Sequence, residues 1–322
     1  MIATPPDKYR LLTRSDMDGL ICAVLLRELD ILGEVVFHHP KDVQDGKVEV
    51  HEHDILANLP YIPGCALCFD HHSSEAKRNL GFKTPGYVLH ANAKSAARVV
   101  YDYYGGAASF PNISPALMDA VDRADSADFS RGEVLHPSGW ALLSFLMDAR
   151  TGLGRFKDYR LSNYQLMEML IDACRTLSAE AILELPDVKE RTSRYFAQQA
   201  AFEDQLRRVG QVHDNLVVLD LRDEDPIYVG NRFLVYTVFP QCDISMHVMR
   251  SRHNEHTAFT VGKSIFGRRN TMDIGALMLD HGGGGHDAAG ACQVPNASAD
   301  RHKQRLTERI VALSRQAQPV PA

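Results

Sequence analysis

The run Cys65-Ala66-Leu67-Cys68-Phe69 is apolar without alternation and stops abruptly at Asp70-His71-His72. An unalternating apolar run of this length reads as a buried strand of a parallel sheet, which sets one carboxylate and two imidazoles at its carboxyl end. Open α/β sheets bind their ligands along that edge, and carboxylate and imidazole are ligands for divalent metals. Neighbouring residues of an extended chain point to opposite sides. His71 and His72 are therefore expected to do different work, one holding a metal and the other facing substrate. For the tripeptide alone, a polar cap on a strand end is the plainer reading.

Other acids could join this group. Arg14-Ser15-Asp16-Met17-Asp18-Gly19 lies between a predicted strand over 9–13 and a helical pattern of Leu20, Ile21, Val24, Leu25, Leu26 and Leu29. Carboxylates at i and i+2 in extended backbone can aim the same way, so Asp16 and Asp18 can bind two adjacent cations or clamp one. Asp18 equally suits the helix N-cap. Val48, Val50 and His51 suggest a short strand leading to Asp54, a third acid that either joins the site or is simply solvated. A predicted helix over 118–128 carries Asp119, Asp122, Asp125 and Asp128. Spacing by three keeps successive members within about 60° on a helix surface, which makes either a solvated acidic face or a source of one further ligand.

Near the end of the chain, His281-Gly282-Gly283-Gly284-Gly285-His286-Asp287-Ala288-Ala289-Gly290 follows a helical stretch over 274–280. Four glycines in a row are costly in backbone entropy and have no evident packing value. Such a loop lets backbone N–H groups approach an anion closely. The small residues after His286 suggest a helix packed against it, and Lys263, Arg268 and Arg269 are cations that could meet the same phosphate. A hinge, and surface lysines and arginines serving solubility, are the plainer alternatives.

The remaining elements have to position these groups. A chain of 322 residues with 45% hydrophobic content is ample for two domains with cores of their own. Strands are expected over 33–38 and 87–90 and helices over 95–104, 141–149 and 163–176. Pro60 and Pro63 make 56–64 a loop. A long charged helix begins after Pro186, and beyond it strand-like runs over 215–221, 232–239, 245–249 and 258–261 change the texture to β. The expected division is a parallel-sheet α/β domain with a helical extension over 1–185, a connector helix over 186–209 and a smaller α/β domain over 210–322. Of the six cysteines only Cys65 and Cys68 have CxxC spacing, with no second pair to complete a zinc ribbon. No apolar stretch approaches the roughly 20 residues of a membrane span, and the polar start lacks the apolar core of a secretory signal. A soluble cytoplasmic protein with no membrane partner is expected. A net charge of −6 argues against a surface that holds long nucleic acid by phosphate neutralisation, so any polyanion handled is expected to be short or gripped at one end.

Taken in order, Asp16-Met17-Asp18, Asp54, Asp70-His71-His72, one acid of 119–128, and Gly283-Gly284-Gly285-His286 followed by Ala288-Ala289-Gly290 resemble the DHH/DHHA1 phosphoesterase family. The resemblance spans nearly the whole chain and is nearest to the nanoRNase and exopolyphosphatase-like branches. It implies that Asp54 bridges two divalent ions, that Asp16 ligates the first, and that Asp18, His71 and Asp125 ligate the second. Asp70 would orient the histidines and His72 would face the scissile phosphate. Gly283, Gly284, Gly285 and His286, with Arg268 or Arg269, would clamp the substrate across an interdomain cleft. Two ions about 4 Å apart would activate a water and neutralise phosphate charge, and the mixed ligands suit Mn²⁺, with Mg²⁺ or Co²⁺ as substitutes. The implied activity is a metal-dependent phosphohydrolase of short nucleotides. Exopolyphosphatase action on inorganic polyphosphate and a catalytically impaired nucleotide-binding protein are the alternatives, and homo-oligomerisation is left open. One departure stands out: several branches carry a His four residues before the first Asp, where this chain has Leu12, so the first ion is expected to be held more weakly or completed by water.

Overall fold

A computed structural model of the chain describes residues 8–72, 75, 84–251, 255–267 and 270–316. They form two compact units: 1–129 with 137–196, and 130–136 with 197–322.

The first unit is built on five parallel strands, β1 (Tyr9–Thr13), β2 (Leu32–Phe37), β3 (Asp54–Ala57), β4 (Leu67–Asp70) and β5 (Tyr87–Leu89), in the order β2-β1-β3-β4-β5. Their side chains alternate between two faces. Leu11, Ile55 and Phe69 enter the larger core, whereas Leu12, Leu56 and Cys68 enter a smaller one on the opposite face. The helix α1 (Met17–Glu28) lies inside the larger core, with every residue of 17–26 buried. This is why its apolar residues run almost all round rather than along one stripe. At roughly 1.5–3 kcal/mol per buried aliphatic side chain, α1 is the element that fixes where the β1–α1 loop sits. The smaller face is covered in part by α2 (Pro40–Gln44), which supplies Val43. Around the larger core pack α3 (Ala96–Tyr103), α4 (Pro115–Asp125), α6 (Gly139–Met147), α7 (Asn163–Thr176) and α8 (Ala179–Leu183).

Between α4 and α6 the short helix α5 (Arg131–Leu135) leaves this unit for the second. There Asn231 Nδ2 donates to Val134 O at 2.9 Å and Gln199 Nε2 to Leu135 O at 3.0 Å. The long helix α9 (Pro186–Val209) is continuous, and the division between the units falls inside it, after Phe196. The second unit then adds β6 (Gly210–His213), β7 (Leu216–Asp220), α10 (Val235–Val238), β8 (Ile244–Arg250), β9 (His256–Lys263), α11 (Ile274–Leu279), β10 (Gly284–His286), β11 (Ala289–Pro295) and α12 (Ala299–Gln316). Its sheet runs β10-β11-β9-β8-β7-β6, antiparallel except for β7 beside β8. Leu216, Val218, Ile244, Met246, Val248, Phe259 and Val261 pack one face of the sheet against Leu306 and Ile310 of α12.

Three sequence expectations are corrected here. Residues 48–51 form no strand, and β3 starts at Asp54 itself, so Leu56 and Ala57 belong to a strand and not to a loop. The run 232–239 is not a strand: Asn231 Oδ1 accepts from Phe233 N at 2.9 Å, the chain turns into α10, and the Tyr236 hydroxyl donates to Gly262 O at 2.7 Å. The residues after His286 continue as β11 rather than a helix.

Candidate metal centre

β1 and β4 deliver their chemistry at the carboxyl edge of the parallel sheet. After β1, Asp16 takes an extended backbone and caps α1, its Oδ1 accepting from Gly19 N at 3.0 Å. The loop turns so tightly that a Cβ on Gly19 would lie 2.0 Å from Arg14 O, which only glycine avoids. The N-cap thus belongs to Asp16 and leaves Asp18 for another task. Asp18 is buried, and its two oxygens accept from Ala96 N at 2.9 Å and Ala97 N at 2.8 Å, at the amino end of α3. Backbone donors at a helix start favour a carboxylate.

Asp70, at the end of β4, is fully buried, and its Oδ1 accepts from His71 N at 2.8 Å and His72 N at 3.1 Å, with His72 Nδ1 at 2.6 Å. One carboxylate therefore sets the backbone of both histidines and the ring of the second. His71 Nδ1 lies 3.3 Å from Ala93 O. A carbonyl only accepts, so Nδ1 carries the hydrogen and Nε2 is turned to the acids, 3.1 Å from Asp125 Oδ2 and 3.7 Å from Asp18 Oδ2. Ligand atoms of Asp18, His71 and Asp125 all lie within 4.8 Å of one another.

The charges at this point are out of balance. Burial, followed by the repulsion of Asp125, raises Asp18 to about 7. Burial alone would lower His71, but Asp125 and Asp18 overcome it and take it up to about 10. Two carboxylates converging on one imidazole nitrogen in a largely buried setting could serve as the donor set of a divalent cation, with the Ala93 carbonyl holding the ring from behind. These residues fit one such ion. For His72 burial again acts downward, and the Asp70 hydrogen bond outweighs it, leaving the ring raised.

Of the remaining sequence candidates, Asp122 is engaged elsewhere, with Ser95 Oγ at 2.7 Å and Arg98 Nε and Nη2 at 3.0 and 2.7 Å. That fixes α3 to α4 and leaves Asp125 as the acid of α4 that reaches His71. Asp119 and Asp128 are exposed. Asp54 requires correction. It begins β3, at the amino edge of the sheet, opposite Arg10 in the register. Arg10 Nε and Nη2 bind its two oxygens at 2.8 and 2.6 Å, and His51 N donates to it at 2.7 Å. Three residues of strand, roughly 10 Å, separate it from the carboxyl edge, so it does not bridge ions there. The residue at that edge is Asn58, which sequence reasoning missed. It is buried with φ +55°, and its Nδ2 donates to Asp16 Oδ1 at 3.0 Å. The available signal was a polar Asn directly after the apolar run Ile55-Leu56-Ala57.

In the second unit, Gly284, Gly285 and His286 pair with β11 and form the edge strand of the sheet. The glycines do have packing value. A Cβ on Gly283 would lie 1.9 Å from Ala291 O, and one on Gly285 2.2 Å from Ala289 O. Gly283 N is spent on Met278 O at 2.9 Å, so the run is not an open nest of free donors. Lys263 is held by Met272 O and Asp287, both at 2.7 Å. Arg268 and Arg269 lie outside the described residues.

No family model matches the chain, and no curated protein does. Among solved structures, it is similar to a pGpG-specific phosphodiesterase, PggH, from Vibrio cholerae, at 50% identity and TM-score 0.76, covering 95% of this chain and 99% of that one. It is also similar in fold to RecJ in complex with Mn²⁺ from Thermus thermophilus, at 14% identity and TM-score 0.51, covering 97% of this chain and 56% of that one.

Proposed function

The chain belongs to the DHH/DHHA1 phosphoesterase family, and from that premise we propose that it is a metal-dependent phosphodiesterase of short nucleotides, with pGpG as a substrate. The observation that carries this reading is half identity to a pGpG-specific phosphodiesterase over nearly the full length of both chains. Hydrolysis of pGpG adds one water across its phosphodiester and yields two GMP.

In this reading Asp18, His71 and Asp125 hold the divalent ion, for which we propose Mn²⁺, with Mg²⁺ or Co²⁺ able to substitute. When bound, that ion polarises the scissile phosphate and lowers the pKa of the attacking water. The chain supplies the rest. The α3 donors and the Ala93 carbonyl hold Asp18 and His71 in place before substrate arrives. His72, with Nδ1 on Asp70 and its basicity raised, is oriented to give a proton to the leaving oxygen.

The test is a comparison of initial rates with Mn²⁺ on pGpG, other 5′-phosphorylated dinucleotides, long RNA and long-chain polyphosphate. The dinucleotides are expected to be cleaved fastest. A higher rate per enzyme on polyphosphate would replace this reading by exopolyphosphatase action, and saturable pGpG binding without GMP release would leave only a nucleotide-binding protein.

A further inference from the structure

The family resemblance implies two ions, whereas the described residues gathered here fit one. Asp16, the expected ligand of the other ion, has both oxygens occupied. Oδ1 accepts from Gly19 N and Asn58 Nδ2, each at 3.0 Å, and Oδ2 faces Arg14 Nε at 3.0 Å. The position from which a carboxylate could bridge, at the carboxyl end of β3, holds the neutral Asn58, whose amide presents a donor to Asp16. A bridging carboxylate brings two oxygens and a negative charge; Asn58 has one neutral acceptor, Oδ1, and its other arm is a donor spent on Asp16, so it cannot take that bridging role. Asp54 is bound by Arg10 at the other end of the strand, and Leu12 is a buried apolar side chain.

A second guanidinium, Arg150, which feels Asp16 and Asp125, is already paired with Asp148 at 2.7 Å. Arg14 is partly exposed and needs only one of its donors for Asp16. A guanidinium has five donors in a planar fork suited to phosphate oxygens, so the remainder can serve a ligand.

We propose that the centre holds a single divalent ion on Asp18, His71 and Asp125, and that Arg14, fixed by Asp16, supplies the second positive charge at the phosphate. The ion count stands on the geometry alone, while the role of Arg14 toward phosphate rests on the phosphodiesterase reading above. Arg14 differs from an ion in that chelators cannot remove it, and its fixed position offers preorganised stabilisation of charge developing on the phosphate.

The experiment is Mn²⁺ titration calorimetry on the full-length chain, together with anomalous diffraction from Mn²⁺-soaked crystals. One equivalent and one anomalous peak are expected, unchanged in Asp16→Asn. Two equivalents, or loss of the single one in Asp16→Asn, would overturn the one-ion centre. Arg14→Gln is expected to keep one equivalent and to lower kcat on pGpG by about 10²-fold, in the range typical of removing one such donor, with partial recovery in Arg14→Lys. Folded Arg14→Gln with wild-type kcat would overturn the role of the arginine. Should the wild type bind one Mn²⁺ and leave pGpG intact, the one-ion centre would stand and the proposed substrate would fall. The double variant Arg14→Ala/Asn58→Asp removes the guanidinium and provides an acceptor at the strand end, and it is expected to gain a second equivalent. Failure of a folded double variant to bind any more Mn²⁺ than wild type would overturn the assignment of these two residues as what excludes the second ion.

Discussion

Asp54→Ala separates the geometry of this chain from the role that its family resemblance implies. The carboxylate is 1% exposed and makes two hydrogen bonds to Arg10, whose side chain remains 30% exposed, and it accepts one from His51 N. Burial by itself would raise its pKa, but Arg10 and the His51 N–H hold it below the usual carboxylate value. Removing one partner of a buried pair costs about 3–5 kcal/mol; since Arg10 can turn partly to water, about 2 kcal/mol is the appropriate share here. The orphaned His51 N–H adds about 1 kcal/mol. A total near 3 kcal/mol in a unit of this size lowers Tm by roughly 6–12 °C. The variant should therefore melt early yet, assayed well below its Tm, hydrolyse pGpG with kcat/KM within about threefold of wild type and bind the same number of Mn²⁺ ions. Circular dichroism melts, calorimetric titration and nucleotide chromatography read the three quantities. A variant with wild-type Tm and kcat/KM reduced more than a hundredfold would refute the reasoning and return Asp54 to the metal site.

Asp125→Ala and Asp122→Ala should part company: the first loses tight Mn²⁺ binding with little change in Tm, the second loses stability through Arg98 and Ser95 while its Mn²⁺ stoichiometry persists, and the reverse pattern in calorimetry would exchange their roles. His72→Ala is expected to lower turnover by about 10² to 10⁴, the usual range for a lost general acid, with metal content unchanged. Loss of bound Mn²⁺ in that variant, measured by atomic absorption, would make His72 a ligand. Burial, with Arg232 nearby, pushes His247 down to about 4, against about 6.5 in an unfolded chain. Between those values the unfolded state binds more protons, so stability is complete above pH 6.5 and declines toward pH 4, by on the order of 3 kcal/mol. Urea midpoints across that range should flatten in His247→Gln, and an unaltered slope would assign the decline to other groups.

The sequence carried the parts of this account that depend on strong local signals. An unalternating apolar run ending in Asp70-His71-His72 became β4 with that carboxylate and the two imidazoles at its carboxyl edge, and α7 and α9 fall where their periodicity and Pro186 put them. Asp125 reaches His71 because α4 presents it one turn beyond Asp122. What was illegible depends on partners far along the chain. Pro60 and Pro63 made 56–64 look like loop, which moved a strand to 48–51 and set Asp54 at its end. The actual strand starts at Asp54 because Arg10, 44 residues earlier, pairs with it across the register, and Asn58 takes the edge instead. Asp16 and not Asp18 caps α1, because Asp18 is spent on the backbone donors at the start of a helix 78 residues later. The glycines of 282–285 looked like an anion loop, since the carbonyls of Ala289 and Ala291 that exclude a Cβ are visible only once β10 and β11 pair. The adoption of α5 by the second unit, through Asn231 and Gln199, left no mark on its own residues.

The central claim is that this chain is a phosphodiesterase of short nucleotides working through an ion on Asp18, His71 and Asp125. The most direct measurement is chromatographic quantitation of GMP from pGpG, with Mn²⁺ and with excess EDTA, for wild type and for folded Asp125→Asn. Two GMP per pGpG from the Mn²⁺-loaded wild type, abolished by EDTA and reduced at least a hundredfold in the variant, is the predicted result. GMP release that survives EDTA, or that is undiminished in Asp125→Asn, would contradict it.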